Sequence, residues 1–161
     1  MVSLTITSNI KWKSLLINLL IPLSVGGIAA LITNGSFENY ENTVKPVLSP
    51  PSWLFPIVWT ILYILMGISV YLIYEKDKNV NRKPFILYAV QLMLNFIWPI
   101  FFFGFEAYLF AFIIVLTLII FVIAMTITFY KESKLAGILQ LPYVFWLLFA
   151  AYLNLSVYIM N

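Results

Sequence analysis

The 161-residue chain is 63% hydrophobic and 18% aromatic but only 9% charged, so it carries more apolar surface than one soluble core of this size can bury. It has no cysteine and no histidine, which excludes disulfides, thiolate nucleophiles, Cys/His zinc sites, His-ligated haem and any Ser-His-Asp triad. Its net charge of +3 is small and follows a topological pattern rather than a nucleic-acid footprint, so no nucleic-acid partner is expected.

Five apolar runs, 14–33, 53–74, 85–103, 107–130 and 135–160, are each long enough to cross a hydrocarbon core of roughly 30 Å. A bilayer admits only helices or closed barrels, and these runs lack the short alternating pattern of barrel strands. The expected fold is all-α: a polytopic membrane protein with a five-helix transmembrane bundle as a single domain over 1–161.

The first run follows Lys11 and Lys13 but is too long for a signal-peptide core, and Asn34-Gly35-Ser36-Phe37 makes a poor cleavage site. It therefore reads as a permanent helix, with Asn18, Pro22, Gly26, Ala30 and Asn34 at steps of four that permit close helix approach. The link 34–52 is the one long connection, polar at first and ending in Lys45-Pro46 and Pro50-Pro51. A lid-like loop is expected there, against the plainer reading of an exposed connector.

The second run presents Trp59, Tyr63, Gly67 and Tyr71 on one face, and the third presents Gln91, Asn95, Trp98 and Phe102. Buried amides need partners, so Gln91 and Asn95 read equally as interhelical glue or as ligand contacts. The fourth run offers Ala107 and Ala111 as a small pair; the fifth presents Pro142, Trp146, Ala150 and Asn154. Trp12, Trp53, Tyr130 and Tyr158 lie near span ends, where interfacial anchoring accounts for them. Trp59, Trp98 and Trp146 lie deeper, where an indole N–H needs an acceptor or a ligand. Prolines 22, 56, 99 and 142 each free a backbone carbonyl one turn earlier, and kinks there are expected to open a cavity.

No span has an ionisable group near its centre, and Glu106 falls at a helix boundary, which disfavours a proton pump or ion-coupled carrier. Lys11, Lys13, Lys76, Lys78, Arg82, Lys83, Lys131 and Lys134 fall on one side of the five-span map and Lys45 on the other. The N-terminus is therefore expected in the cytoplasm and the C-terminus outside a bacterial plasma membrane. A pocket lined by indoles, phenols and a few amides suits a large, flat, apolar ligand: a tetrapyrrole, a sterol or a lipid.

Lys45-Pro46, Pro50-Pro51 and Val58-Trp59-Thr60-Ile61-Leu62-Tyr63 with Met66-Gly67, then Gln91 to Pro99 and Phe102-Phe103-Gly104, then Leu141-Pro142-Tyr143 with Trp146, Phe149-Ala150 and Leu153-Asn154, together resemble the translocator protein or tryptophan-rich sensory protein family. The resemblance runs in order over nearly the whole chain. It implies a five-helix bundle, commonly a homodimer, that binds protoporphyrin and other tetrapyrroles in a pocket beneath the first loop. By matched position it implies that Trp59, Asn95, Trp146, Ala150 and Leu153 face the ligand, with Tyr63, Trp98 and Tyr143 nearby and Phe110 at the fourth helix's pocket position, where the family pattern has tryptophan. Protoporphyrin would be a ligand, with no resident cofactor and no metal site. Light-dependent porphyrin breakdown, ascribed to tryptophans at the positions of Trp59 and Trp146, is the catalytic alternative, and a structural membrane protein without ligand is a second. The chain departs from the family at Leu48, where a tryptophan is usual, and after Tyr158, where no basic residue completes a sterol pattern, so sterol binding is not carried over.

Overall fold

The computed structural model describes residues 10–76 and 82–161, apart from the side chains of Phe37 and Asn39; Lys78, counted above with the basic side, lies outside these residues. The described chain is helical and contains no strand. α1 (Trp12–Thr33) runs through a tight turn at Asn34–Ser36 into the short α2 (Phe37–Glu41). α3 (Leu54–Lys76), α4 (Lys83–Pro99), α5 (Tyr108–Glu132), α6 (Lys134–Ile138) and α7 (Leu141–Met160) follow. Among the described residues, five stretches, with α6 and α7 together making the last, are long and apolar enough to cross a bilayer, and the chain is an integral membrane protein.

The prolines act differently from one another. Pro22 lies mid-helix and Pro99 lies where α4 runs on into the next turn; Pro56 and Pro142 fall in the first turns of α3 and α7, where the missing N–H would have had no helical partner. Pro56 therefore costs α3 no helical hydrogen bond, while Pro142 follows the break at Leu139–Gln140 that divides the fifth crossing. After Pro99 the α4 backbone widens into a π turn, Ile100–Gly104, closed by the Phe105 N–H on the Ile100 carbonyl at 3.0 Å. Glu106 then takes a positive φ of 53° in the exposed turn leading to α5.

α5 lies against α4 and α7, and α1 packs chiefly on α3. Met66, Leu118, Val122, Met125 and Phe129 fill the core nearest the lysine-bearing end, hereafter the basic end. α1 is the outermost crossing, burying only Pro22, Ala29 and Thr33. Trp12, Trp53, Tyr130 and Tyr158 are exposed near the ends of the crossings, as interfacial anchors are.

A candidate binding cavity between α1, α3 and α4

Steps of three and four residues place Gln91, Asn95, Trp98 and Phe102 on one face of α4 and its π turn, and all four are buried. Asn95 is the centre of a polar chain. The Tyr63 hydroxyl donates to Asn95 Oδ1 at 3.1 Å, Asn95 Nδ2 donates to the Tyr143 hydroxyl at 2.8 Å, and that hydroxyl donates to Gln91 Oε1 at 3.0 Å. Gln91 Nε2 points at Met66 Sδ, 3.8 Å away. The two amides thus join α3, α4 and α7, which is what buried amides in an apolar bundle require.

On the side of Asn95 away from the basic end, a cavity of about 250 Å³ opens between α1, α3 and α4. Trp59, Tyr63, Asn95 and Trp98 line it, with Phe55 and Phe103 toward the loop. Trp59 is central to the aromatic wall: its ring centroid lies 5.7 Å from Tyr63, 6.1 Å from Trp98 and 6.1 Å from Tyr143. The Trp98 indole donates to Asn154 Oδ1 at 3.1 Å, fixing that ring between α4 and α7. The opposite wall is small-residue backbone from α1. A Cβ on Gly26 would lie 2.1 Å from the Tyr63 ring, so only glycine lets α1 approach there.

The loop closes one end of this space. Tyr40 is 4% exposed, with its ring 6.4 Å from Phe55, 5.6 Å from Phe102 and 5.4 Å from Phe103, and the Lys45 ammonium sits 4.9 Å over it. The Asn161 side chain ties the loop to α7. Its Oδ1 accepts from the Val44 N–H at 3.0 Å and its Nδ2 donates to the Val44 carbonyl at 3.1 Å.

The structure brings together four of the residues read from the sequence, Trp59, Tyr63, Asn95 and Trp98, and separates the rest. Tyr143 stands behind them in the polar chain. Ala150 and Leu153 are buried in α7 but do not line the cavity. Trp146 faces an outer groove between α3 and α7 with Val58 and Phe149, its ring 6.0 Å from Phe55, and its indole nitrogen is buried without a partner among the described residues. Phe110 is half exposed beside Phe101, against a separate surface groove with Tyr158. The α1 stripe is also shifted: steps of four drift around a helix of 3.6 residues per turn, so Ala29 and Thr33 are the buried residues, while Ala30 lies at the cavity's outer rim and Asn34 is exposed. Sequence reading missed Leu23, Thr33, Phe55 and the Tyr40 plug. For Tyr40 and Phe55 the signal was present, since each is an aromatic beside the Pro-rich loop.

The TspO/MBR family model matches residues 18–160. The tryptophan-rich protein TspO of Archaeoglobus fulgidus is 36% identical over 148 residues, 91% of this chain and 96% of that protein. A protein of the same name from Chlorobaculum tepidum is 40% identical over 124 residues, 76% of this chain and 78% of its own. The translocator protein of Bos taurus is 34% identical over 139 residues, covering 84% of this chain and 82% of the relative.

Proposed function

Because the chain belongs to the TspO/MBR family, we propose that it is a membrane receptor that binds protoporphyrin and related flat, hydrophobic tetrapyrroles between α1, α3 and α4, in tetrapyrrole sensing, transport or stress regulation. The observation that carries this reading is the wall of Trp59, Trp98 and Tyr63 rings facing small residues of α1. Stacking rings with one amide at the edge suit a planar ligand with few polar groups. At about 250 Å³ the space is smaller than the usual range of roughly 300–1,000 Å³ for ligand sites, so α1 must yield to admit a macrocycle.

Saturable quenching of tryptophan fluorescence by protoporphyrin in detergent is the test. Trp59→Leu weakens binding about tenfold at unchanged helical content, the loss of about 1.4 kcal/mol of ring contact. Trp146→Leu, outside the cavity, has the smaller effect. Equal affinity of wild type and Trp59→Leu removes the cavity from the reading. If Asn95→Leu alters thermal stability while no variant alters affinity, the chain is a structural protein whose amides only join helices.

A second reading, light-dependent porphyrin breakdown, draws on the adjacency of Trp59 and Trp98, whose rings are tilted by 33°. A porphyrin held there absorbs the light itself, and the protein positions it and supplies a nearby indole. Illumination under air and under argon separates the readings: a defined product that forms with wild type but not with Trp59→Phe or Trp146→Phe supports breakdown. Equal bleaching in all three leaves a binding protein.

The basic end is assigned to the cytoplasm of a bacterial plasma membrane and the loop to the outside, on the lysine and arginine count. Selective labelling of Val47→Cys from outside intact cells tests this, since Val47 is fully exposed. A homodimer through the bilayer-facing side of α4, where Ile86 and Met93 are exposed, completes the reading. Cross-linking through Met93→Cys reports it. The sequence's small pairs are not free for this role, because Gly26 abuts Tyr63 and Ala111 is packed with Trp98 and Phe102.

A further inference from the structure

The cavity is closed toward the loop and open toward the bilayer. At the loop end Tyr40 fills the space among Phe55, Phe102 and Phe103, and the paired Val44–Asn161 hydrogen bonds hold the following residues against α7. A water-borne molecule entering there must extract a buried ring. On the opposite side the wall is thin. Gly27 and Ala30 of α1 and Pro56 and Thr60 of α3 line the cavity and are also exposed on the outer surface, within segments that cross the bilayer. A Cβ on Gly27 would meet nothing within 4 Å. The polar group at this gap is already used, since Thr60 Oγ1 donates to the Pro56 carbonyl at 2.7 Å, so the opening offers hydrocarbon an apolar rim.

α1 is also fastened unevenly. Toward the basic end it lies tight on α3, where a Cβ on Gly67 would come within 2.7 Å of the Asn18 carbonyl oxygen. Lys11 reaches Glu75 at 2.6 Å, and the Lys11 N–H donates to the Tyr71 hydroxyl. Beyond Pro22, whose missing N–H leaves the Asn18 carbonyl without its helical bond, α1 touches α3 where Gly26 meets the Tyr63 ring and otherwise borders the cavity through Gly27, Ala30 and Thr33.

We propose that ligands exchange with this cavity sideways from the hydrocarbon, between the Gly27–Ala30 stretch of α1 and the Pro56–Thr60 stretch of α3, while the loop with Tyr40 and Asn161 is a fixed cap. The proposal rests on the binding reading above and narrows its ligand class to flat molecules that dissolve in the bilayer before they bind. Swinging the far half of α1 about Pro22 widens the gap and enlarges the cavity in one motion, releasing the Gly26 contact with the Tyr63 ring but keeping the contacts near Gly67.

The native chain has no cysteine, so a single Thr33→Cys, on the cavity wall, reports access. Phosphatidylcholine proteoliposomes are treated with pyrenyl maleimide, which partitions into the bilayer, or with a sulfonated maleimide, which stays in water. The pyrenyl reagent labels Cys at this position and the sulfonated one does not. Added Ala30→Phe slows pyrenyl labelling roughly tenfold, and added Asn161→Ala leaves it within about twofold. Gly27→Leu, built into open space, is the second variant that narrows the gap. Faster labelling with Asn161→Ala together with no effect of either gap variant, or equal labelling by the sulfonated reagent, makes the loop the route and overturns the proposal. Protoporphyrin takes no part, so a failed protoporphyrin titration counts against the binding reading alone.

Discussion

Toward the basic end, α3, α4, α5 and α7 close on Met66, Leu118, Val122, Met125 and Phe129, none more than 1% exposed; toward the loop, α1, α3 and α4 leave about 250 Å³ between them. The two halves share helices and overall apolarity. They differ in the shape of what meets: flexible aliphatic and thioether chains interdigitate in one, while flat rings face small residues and prolines in the other. In a bilayer, closing a gap between helices gains little from the hydrophobic effect, because lipid is as apolar as leucine, so cohesion depends on fit. A half built of rings keeps its space, and the space is available to a ligand.

Forcing apart the half that fits has the largest effect. Gly67→Leu drives a side chain into the Asn18 carbonyl and the Leu19 backbone, and the loss is about 3 kcal/mol, read as a lowered midpoint of thermal unfolding in detergent. Gly27→Ala, in the open half, leaves the midpoint unchanged.

Truncation sharpens the contrast. Leu118→Ala in the packed half costs about 2–3 kcal/mol because the surrounding helices cannot collapse onto the void. Leu23→Ala, on the cavity wall and already facing space, costs less than about 1 kcal/mol by the same measurement.

The polar chain at the boundary between the halves comes next. Tyr143→Phe removes the hydroxyl that accepts from Asn95 and donates to Gln91, at a cost of about 1 kcal/mol, the usual scale for interhelical hydrogen bonds in membranes. Protoporphyrin affinity changes less than with Trp59→Leu, since Tyr143 stands behind the cavity wall.

The smallest effect is expected at the basic end's exposed ion pair. Hydrogen bonding and charge from Glu75 raise the Lys11 pKa above its ordinary 10.5. A base whose folded pKa is raised contributes fully below its unfolded value and loses the contribution as pH climbs through the raised one. Glu75→Gln therefore leaves unfolding near neutral pH almost unchanged, and any wild-type advantage fades only in strongly alkaline buffer.

The number of crossings, their helical character and the inward face of α4 follow from the residues alone, because a bilayer leaves the backbone no other choice and buried amides must meet one another. The sequence also singled out Trp59, Tyr63, Asn95 and Trp98, which recur at helical spacing on two neighbouring runs. The tertiary structure decided which of the remaining aromatics share that space. Trp146 and Phe110 belong to apolar helices whose whole circumference is hydrophobic, so periodicity carries no sign of which side meets protein and which meets lipid. Their exclusion from the cavity follows from how α7 and α5 are rotated within the bundle, and for α7 that rotation is held by contacts remote in sequence, such as Trp98 with Asn154 and Gln140 with Ser69. The Tyr40 plug and the Asn161 tie were hidden for the same reason: each joins segments that no local pattern relates, and only the closed bundle brings them together.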